Sequence, residues 1–126
     1  MTGPRFERTP AAPGPIVQRL TPDGFSIDGA VYPAVLLTPE RVAAWAPPAP
    51  ADLTEGDLAP LLALDPAPEL ILLGTGPRQA FPPRALVGAL DARGIGIEAM
   101  DSRAAARTWG LLCGEGRWIA AALMPL

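Results

Sequence analysis

Residues 69–78, ELILLGTGPR, decide the fold. An aliphatic run from Leu70 to Leu73 stops at Gly74-Thr75-Gly76, which reads as a strand covered on both faces that leaves its sheet sharply. The stretch after it has a matching rhythm. PPRALVGALDARG (82–94) predicts a helix, with Pro82 and Pro83 suited to its first turn and Gly94 to its C-cap. IGIEAM (95–100) predicts a second strand, and DSRAAARTWGLLC (101–113) a second helix that Asp101 or Ser102 can cap. RWIAAALM (117–124) supplies the last strand. Strands alternating with helices in this way predict a layered α/β domain with parallel pairing.

Upstream the pattern is strand-like and antiparallel. IVQRL (16–20), FSIDG (25–29) and AVYPAVLLT (30–38) are separated by Thr-Pro-Asp-Gly and by Asp28-Gly29, the latter a hairpin signal because glycine accepts a positive φ. PERVAAW (39–45) reads as a short helical turn, with Val42 and Trp45 three apart on one face. A proline-rich loop, APPAPADL (46–53), follows. TEGDLAPLLALDP (54–66) predicts a short helix that starts near Thr54 and ends before Pro66. The organisation expected is a flexible arm over residues 1–14 and one α/β domain over 15–126, an N-terminal antiparallel hairpin unit followed by β-α-β-α-β.

A chain of 126 residues is long enough to bury one core without disulfides or metals. It contains no histidine and no lysine. That removes Ser-His and Cys-His nucleophile pairs, imidazole metal ligands, Schiff-base chemistry and the P-loop lysine. No metal and no cofactor are expected. Residues 1–77 hold four Arg against nine acidic residues, and 78–126 hold six Arg against four, for a net charge of −3. The basic tilt of the second half is too mild for a nucleic-acid surface. The single Cys113 cannot form an internal disulfide, in keeping with a reducing compartment. No apolar run approaches the roughly 20 residues of a membrane span, and MTGPRFERTPAAPGP lacks the apolar core of a secretory signal. The expected setting is cytoplasmic.

The glycine turn has two readings. A dinucleotide fingerprint would place a third glycine where Gln79 stands, and the acidic residue such a site needs has no better candidate than Glu98, in the next strand. The preferred reading is therefore a sharp exit from a buried strand. The other is a ligand rim: if strands 69–73 and 95–99 are parallel, Gly74, Thr75, Gly76, Asp101 and Ser102 share one sheet edge, with Arg78 and Arg103 able to supply guanidinium groups to an anion. Asp101 opposes a strongly anionic ligand unless its carboxylate is fully engaged as the cap. Arg103 and Arg107 are neighbours on one helix face, read first as a solvated face. Cys113, near a helix C-terminus, reads as a buried inert thiol, and Met100 and Trp109 as core residues.

LILLGTG, lying about 25 residues before GIGIEAMDSRAAARTWGLLCGEGRWIAAAL, resembles the family of the mitochondrial NADH dehydrogenase (complex I) assembly factor 3. That family is also found in bacteria and archaea as a small stand-alone domain of unknown function. The resemblance covers roughly residues 16–124 and includes the hairpin residues Asp28, Gly29 and Tyr32. One departure is Trp109-Gly110, where the family usually has Tyr-Asn, so any role of that amide is lost. The resemblance implies a single three-layer domain with a mixed β-sheet, no catalytic residues to carry over, and work on protein partners. For the mitochondrial members it implies a respiratory-complex assembly intermediate as partner, with peripheral association with a membrane compatible with the role, and for the bacterial members it leaves the role open. Arg103 and Arg107 are the candidate partner surface. A mitochondrial leader is not evident in the Pro-rich N-terminus. One alternative is an enzyme or anion binder using the Gly74–Arg103 rim, whose only proton-moving candidates are Asp101, Glu98 and Cys113; the other is a purely structural stand-alone domain whose partner is unrelated to respiration.

Overall fold

The computed structural model describes residues 14–126, so the arm expected over 1–14 lies, apart from Gly14, outside the described residues. Three short antiparallel strands come first: β1 (Arg19–Thr21), β2 (Gly24–Ile27) and β3 (Ala30–Tyr32), in that spatial order. The Thr21 hydroxyl shapes the first turn, accepting from the Asp23 N–H at 3.1 Å and donating to the Gly24 carbonyl at 3.1 Å. The second turn is Asp28-Gly29, with φ of 49° and 84°, the pair of positive φ values that a two-residue type I′ hairpin demands. Pro33 then divides what the sequence suggests is one long strand. The chain passes into a second sheet as β4 (Val35–Leu37).

The helical turn expected over 39–45 is instead a strand, β5 (Val42–Ala44), paired antiparallel with β4. Its cause is Thr38. The hydroxyl of this residue accepts from the N–H groups of Glu40 and Arg41 at 3.2 and 2.9 Å, and its own N–H donates to the Arg41 carbonyl at 2.9 Å. Those bonds reverse the chain before a helix can start, as hydroxyl-stabilised turns do. Trp45 follows the strand, its indole N–H donating to the Asp57 carbonyl at 2.9 Å. Two 3-10 turns, Pro50–Asp52 and Glu55–Leu58, lead into α1 (Ala59–Leu62). Thr54 and Asp57 form a reciprocal capping box, so the start expected near Thr54 holds. Pro60, in the first turn of α1, is one reason that helix is only one turn long.

The remainder is β6 (Leu70–Gly74), α2 (Arg84–Ala92), β7 (Gly96–Met100), α3 (Ser102–Gly114) and β8 (Ala120–Leu123). The second sheet has the order β5-β4-β8-β6-β7, with β6 parallel to both of its neighbours and β8 antiparallel to β4. The two crossovers run in opposite directions from β7. The first carries the chain from β6 to the sheet edge, and the second carries it back past β6 to β8. Two right-handed crossovers of opposite direction must put their helices on opposite faces, and they do. Ile71, Leu73 and Ala122 pack with Leu86 and Leu90 of α2, whereas Leu72, Ala121 and Leu123 pack with Ala105 and Trp109 of α3 and with Phe25 and Ile27 of the small sheet. Strand alternation thus divides the core into two clusters and gives the three layers.

Ile71, Leu73, Ile119 and Ala121 have no exposed surface. Ile97, expected to be equally buried, is only partly so because β7 is the edge strand. Leu73→Ala should therefore cost about 3 kcal/mol of stability, and Ile97→Ala about half of that or less, since the smaller buried area loses less on truncation. Denaturant unfolding of the two variants checks both values. Equal costs would place β7 inside the sheet.

Candidate functional site

Parallel register sets Gly74 beside Met100. The two chains leave β6 and β7 together, and the sequence-derived rim residues do converge at this edge. Thr75 continues the ladder, its N–H donating to the Met100 carbonyl at 2.9 Å, and the Ser102 N–H donates to the Gly76 carbonyl at 2.8 Å. Ser102, with no exposed surface, is the hub. Its hydroxyl accepts from the Gly76 N–H at 2.8 Å and donates to the Met124 carbonyl at 2.7 Å, so the end of β6, the end of β8 and the start of α3 meet on one oxygen. Met124 closes the loop by donating its N–H to the Gly74 carbonyl at 2.9 Å.

The two glycines have different causes. A Cβ on Gly74 would lie 2.8 Å from Ser102 Oγ and 2.9 Å from Ser102 Cα, so this glycine lets α3 start directly against β6. Gly76 has φ of 105°, a backbone conformation that side chains disfavour. Thr75 between them is 6% exposed. Its hydroxyl donates to the Arg78 carbonyl at 2.6 Å and accepts from the Ala80 N–H at 3.0 Å, tying residues 75–80 into a fixed turn. The N–H groups of Gly76 and Ser102, which an anion at this rim would use, already have protein acceptors.

Asp101 is the N-cap of α3, its Oδ1 accepting from the Ala104 N–H at 2.9 Å. The cap engages one of its two carboxylate oxygens. Arg78, Arg103 and Arg107 are exposed and form no ion pair with another described residue, whereas Arg93 pairs with Glu55 and Arg117 with Glu69. Cys113 is half-buried, and burial pushes its thiol from the ordinary 9.0 up to about 11. It is a thiol and not a thiolate at neutral pH. Trp109 is fully buried, and its indole N–H donates to the Pro15 carbonyl at 2.7 Å. Among the described residues no group of His, Cys, Asp and Glu could hold a metal.

Two exposed apolar residues escape the sequence reading, Phe81 at 81% and Leu111 at 68%. Phe81 stands in RQAFPPR (78–84), outside any strand or helix period. An aromatic residue in a proline-stiffened loop was the available signal. Leu111 follows Arg103 and Arg107 at intervals of four on α3, so all three share one outward stripe.

Removing the Ser102 hydroxyl leaves the buried Gly76 N–H and Met124 carbonyl without a partner, so Ser102→Ala should cost about 3 kcal/mol, read by denaturant unfolding. A cost below that of an ordinary surface substitution would mean that water replaces the hydroxyl. Alkylation of Cys113 should accelerate with pH towards a midpoint near 11. A midpoint at or below the ordinary thiol value would show that burial does not protect it.

Residues 17–124 match the family described as protein of unknown function (DUF498/DUF598). The chain is 36% identical over 104 residues to the human NADH dehydrogenase (ubiquinone) 1 alpha subcomplex assembly factor 3, a match that covers 81% of this chain and 56% of that protein. It thus spans little more than half the length of that relative. Its fold is similar to the crystal structure of a Bordetella parapertussis protein, with a TM-score of 0.81 and 37% identity, covering 93% of this chain and all of that one. It is also similar to the solution structure of a Mth938-like domain from Bordetella pertussis, with a TM-score of 0.78 and 31% identity, covering 95% of this chain and 91% of that one. A three-layer fold built on the Gly-Thr-Gly strand exit and the Asp-Ser helix start, together with a match over nearly all described residues, makes this chain a member of the DUF498/DUF598 family.

Proposed function

We propose that the chain is a non-enzymatic protein-binding domain that helps assemble a respiratory membrane complex. The observation that carries this reading is its identity with a protein named as an assembly factor of NADH dehydrogenase. The geometry of the rim supports it. The polar groups of Thr75, Gly76 and Ser102 are spent on protein partners, and the Asp101 carboxylate caps α3. Catalysis needs groups that move protons as well as groups that meet a developing charge; the exposed guanidinium groups of Arg78 and Arg103 can do only the second, while Thr75, Gly76 and Ser102 hold strands and helix together.

The surface that fits partner binding is the stripe Arg103, Arg107 and Leu111. Two guanidinium groups beside an exposed leucine suit a partner that presents carboxylates around an apolar contact. The stripe is rigid because the opposite face of α3 is anchored by Ala105 and Trp109. No described helix is long and apolar enough to cross a membrane, and in this reading α3 meets the assembly intermediate peripherally.

Arg103→Glu combined with Arg107→Glu should reduce capture of NADH dehydrogenase subunits from a lysate of the source organism and leave the unfolding midpoint nearly unchanged. Asp101→Ala should do the reverse, costing about 1 kcal/mol through the lost cap with capture intact. Quantified capture alongside thermal unfolding checks both. Failure to enrich any such subunit with the unaltered chain sinks the assembly reading, and a metabolite turnover that disappears in folded Asp101→Ala would make the rim an active site.

A further inference from the structure

A groove of about 350 Å³ lies between α2 and residues 51–55, walled by Leu53, Pro83, Ala85, Leu86 and Ala89, with Asp52 and Glu55 also lining it. Phe81 stands over the adjoining side of the same helix, beside Arg84, Val87 and Gly88. It is the most exposed large apolar side chain among the described residues, whereas Phe25 has no exposed surface. Its loop is not slack. The Ala80 N–H is held by the Thr75 hydroxyl, and Pro82 and Pro83 restrict the backbone that follows. A ring carried on a backbone held in this way has only its own two side-chain torsions left to lose on binding.

Charge is divided across the face in the same sense as shape. No acidic residue occurs between Glu69 and Asp91, and the only charges in that interval are Arg78 and Arg84. The groove side carries Asp52 and Glu55 instead. Glu55 is paired with Arg93, and Asp52 makes no side-chain hydrogen bond or ion pair with another described residue. One face therefore holds a protruding ring beside the Arg84 cation and, next to it, an apolar groove flanked by a carboxylate. A patch that contains both members of a complementary pair is the condition for an isologous twofold interface.

We propose that this face joins two copies of the chain, with Phe81 of each inserted in the other's groove and Arg84 of each facing Asp52 of the other. A second copy fits better than an anionic lipid surface. The carboxylates lining the groove would repel lipid headgroups, and a flat bilayer would leave the groove unfilled. At the centre of the dimer the two rings and grooves form the apolar core, and Arg84 and Asp52 form the polar rim typical of interfaces. Gly88, where an added Cβ would point into open space, lets the two α2 helices approach.

Light scattering and sedimentation equilibrium of the full chain test this without any other partner. The mass should rise with concentration from 13.1 kDa towards twice that value. Phe81→Ser should weaken the dimer about 30-fold or more, the loss expected of a central aromatic anchor, and Phe81→Glu should leave only monomer. Arg84→Asp and Asp52→Arg should each dissociate when alone, since each sets like charges together twice. Mixed in equal amounts they should associate again, because the mixed pair then has one contact of native polarity and one of reversed polarity, both attractive. Phe81, Arg84 and Asp52 are exposed, so circular dichroism should show every variant folded. A mass of 13.1 kDa at all concentrations overturns the proposal, as does a dimer indifferent to Phe81→Glu or a charge-reversed mixture that stays monomeric. A monomer that binds anionic vesicles through Phe81 overturns it as well.

Discussion

The fully buried oxygen of Ser102 fixes how the layers of this protein meet. It accepts from the turn after β6, donates to the residue after β8, and belongs to the first residue of α3. Such a hydroxyl contributes only about 1 kcal/mol per bond when made, but the geometry it enforces is stringent, because Gly74 must lack a Cβ for Ser102 to sit there at all. The strand exit and the helix start are one joint. A sheet edge that in open α/β proteins forms a crevice for ligands is here closed by its own backbone and side-chain bonds. The same closure gives α3 its rigidity, and a rigid helix presents exposed side chains to a partner at a small entropic cost.

Much of this was legible in the sequence where local rules and tertiary demands agree. The Leu70–Leu73 run, the prolines before α2, the Asp101 cap and the Asp28-Gly29 hairpin are each settled within a few residues, and each stands where the reading placed it, although Pro83 serves as the N-cap of α2 and not as a residue of its first turn. The β5 strand was not legible, because a spacing of three between Val42 and Trp45 suits a helical face as well as a strand and its outgoing turn. Thr38 decides between them through bonds that need the chain already reversed. The resemblance to assembly factor 3 rested on motifs spread through the second half of the chain and agrees with the family match over residues 17–124.

At the rim the composition of the joint was readable and its wiring was not. Gly74, Thr75, Gly76, Asp101 and Ser102 could be brought to one edge by assuming parallel strands. That the Ser102 hydroxyl is claimed by Met124, 22 residues later in the chain, depends on β8 lying on the far side of β6. No local pattern contains that fact. Phe81 escaped for the opposite reason: it obeys no period, and hydrophobic patterning finds residues that recur on a face, not a single ring held outside the fold.

The opposite placement of α2 and α3 also has a consequence for binding. Handedness of the two crossovers puts the helices on different faces of the sheet, so the Phe81 face and the Arg103–Leu111 stripe point away from one another with the sheet between them. Contact at one leaves the other free. Joining two copies through α2 would turn both α3 stripes outward, and a partner offering two equivalent sites would then be held by two contacts whose combined affinity exceeds either alone, provided its sites match the separation. A stripe of two arginines and a leucine is weak as a single anchor, since exposed charge pairs contribute little individually. Doubling it by symmetry strengthens the hold without asking anything more of α3, whose inner face is already committed to Trp109 and the sheet.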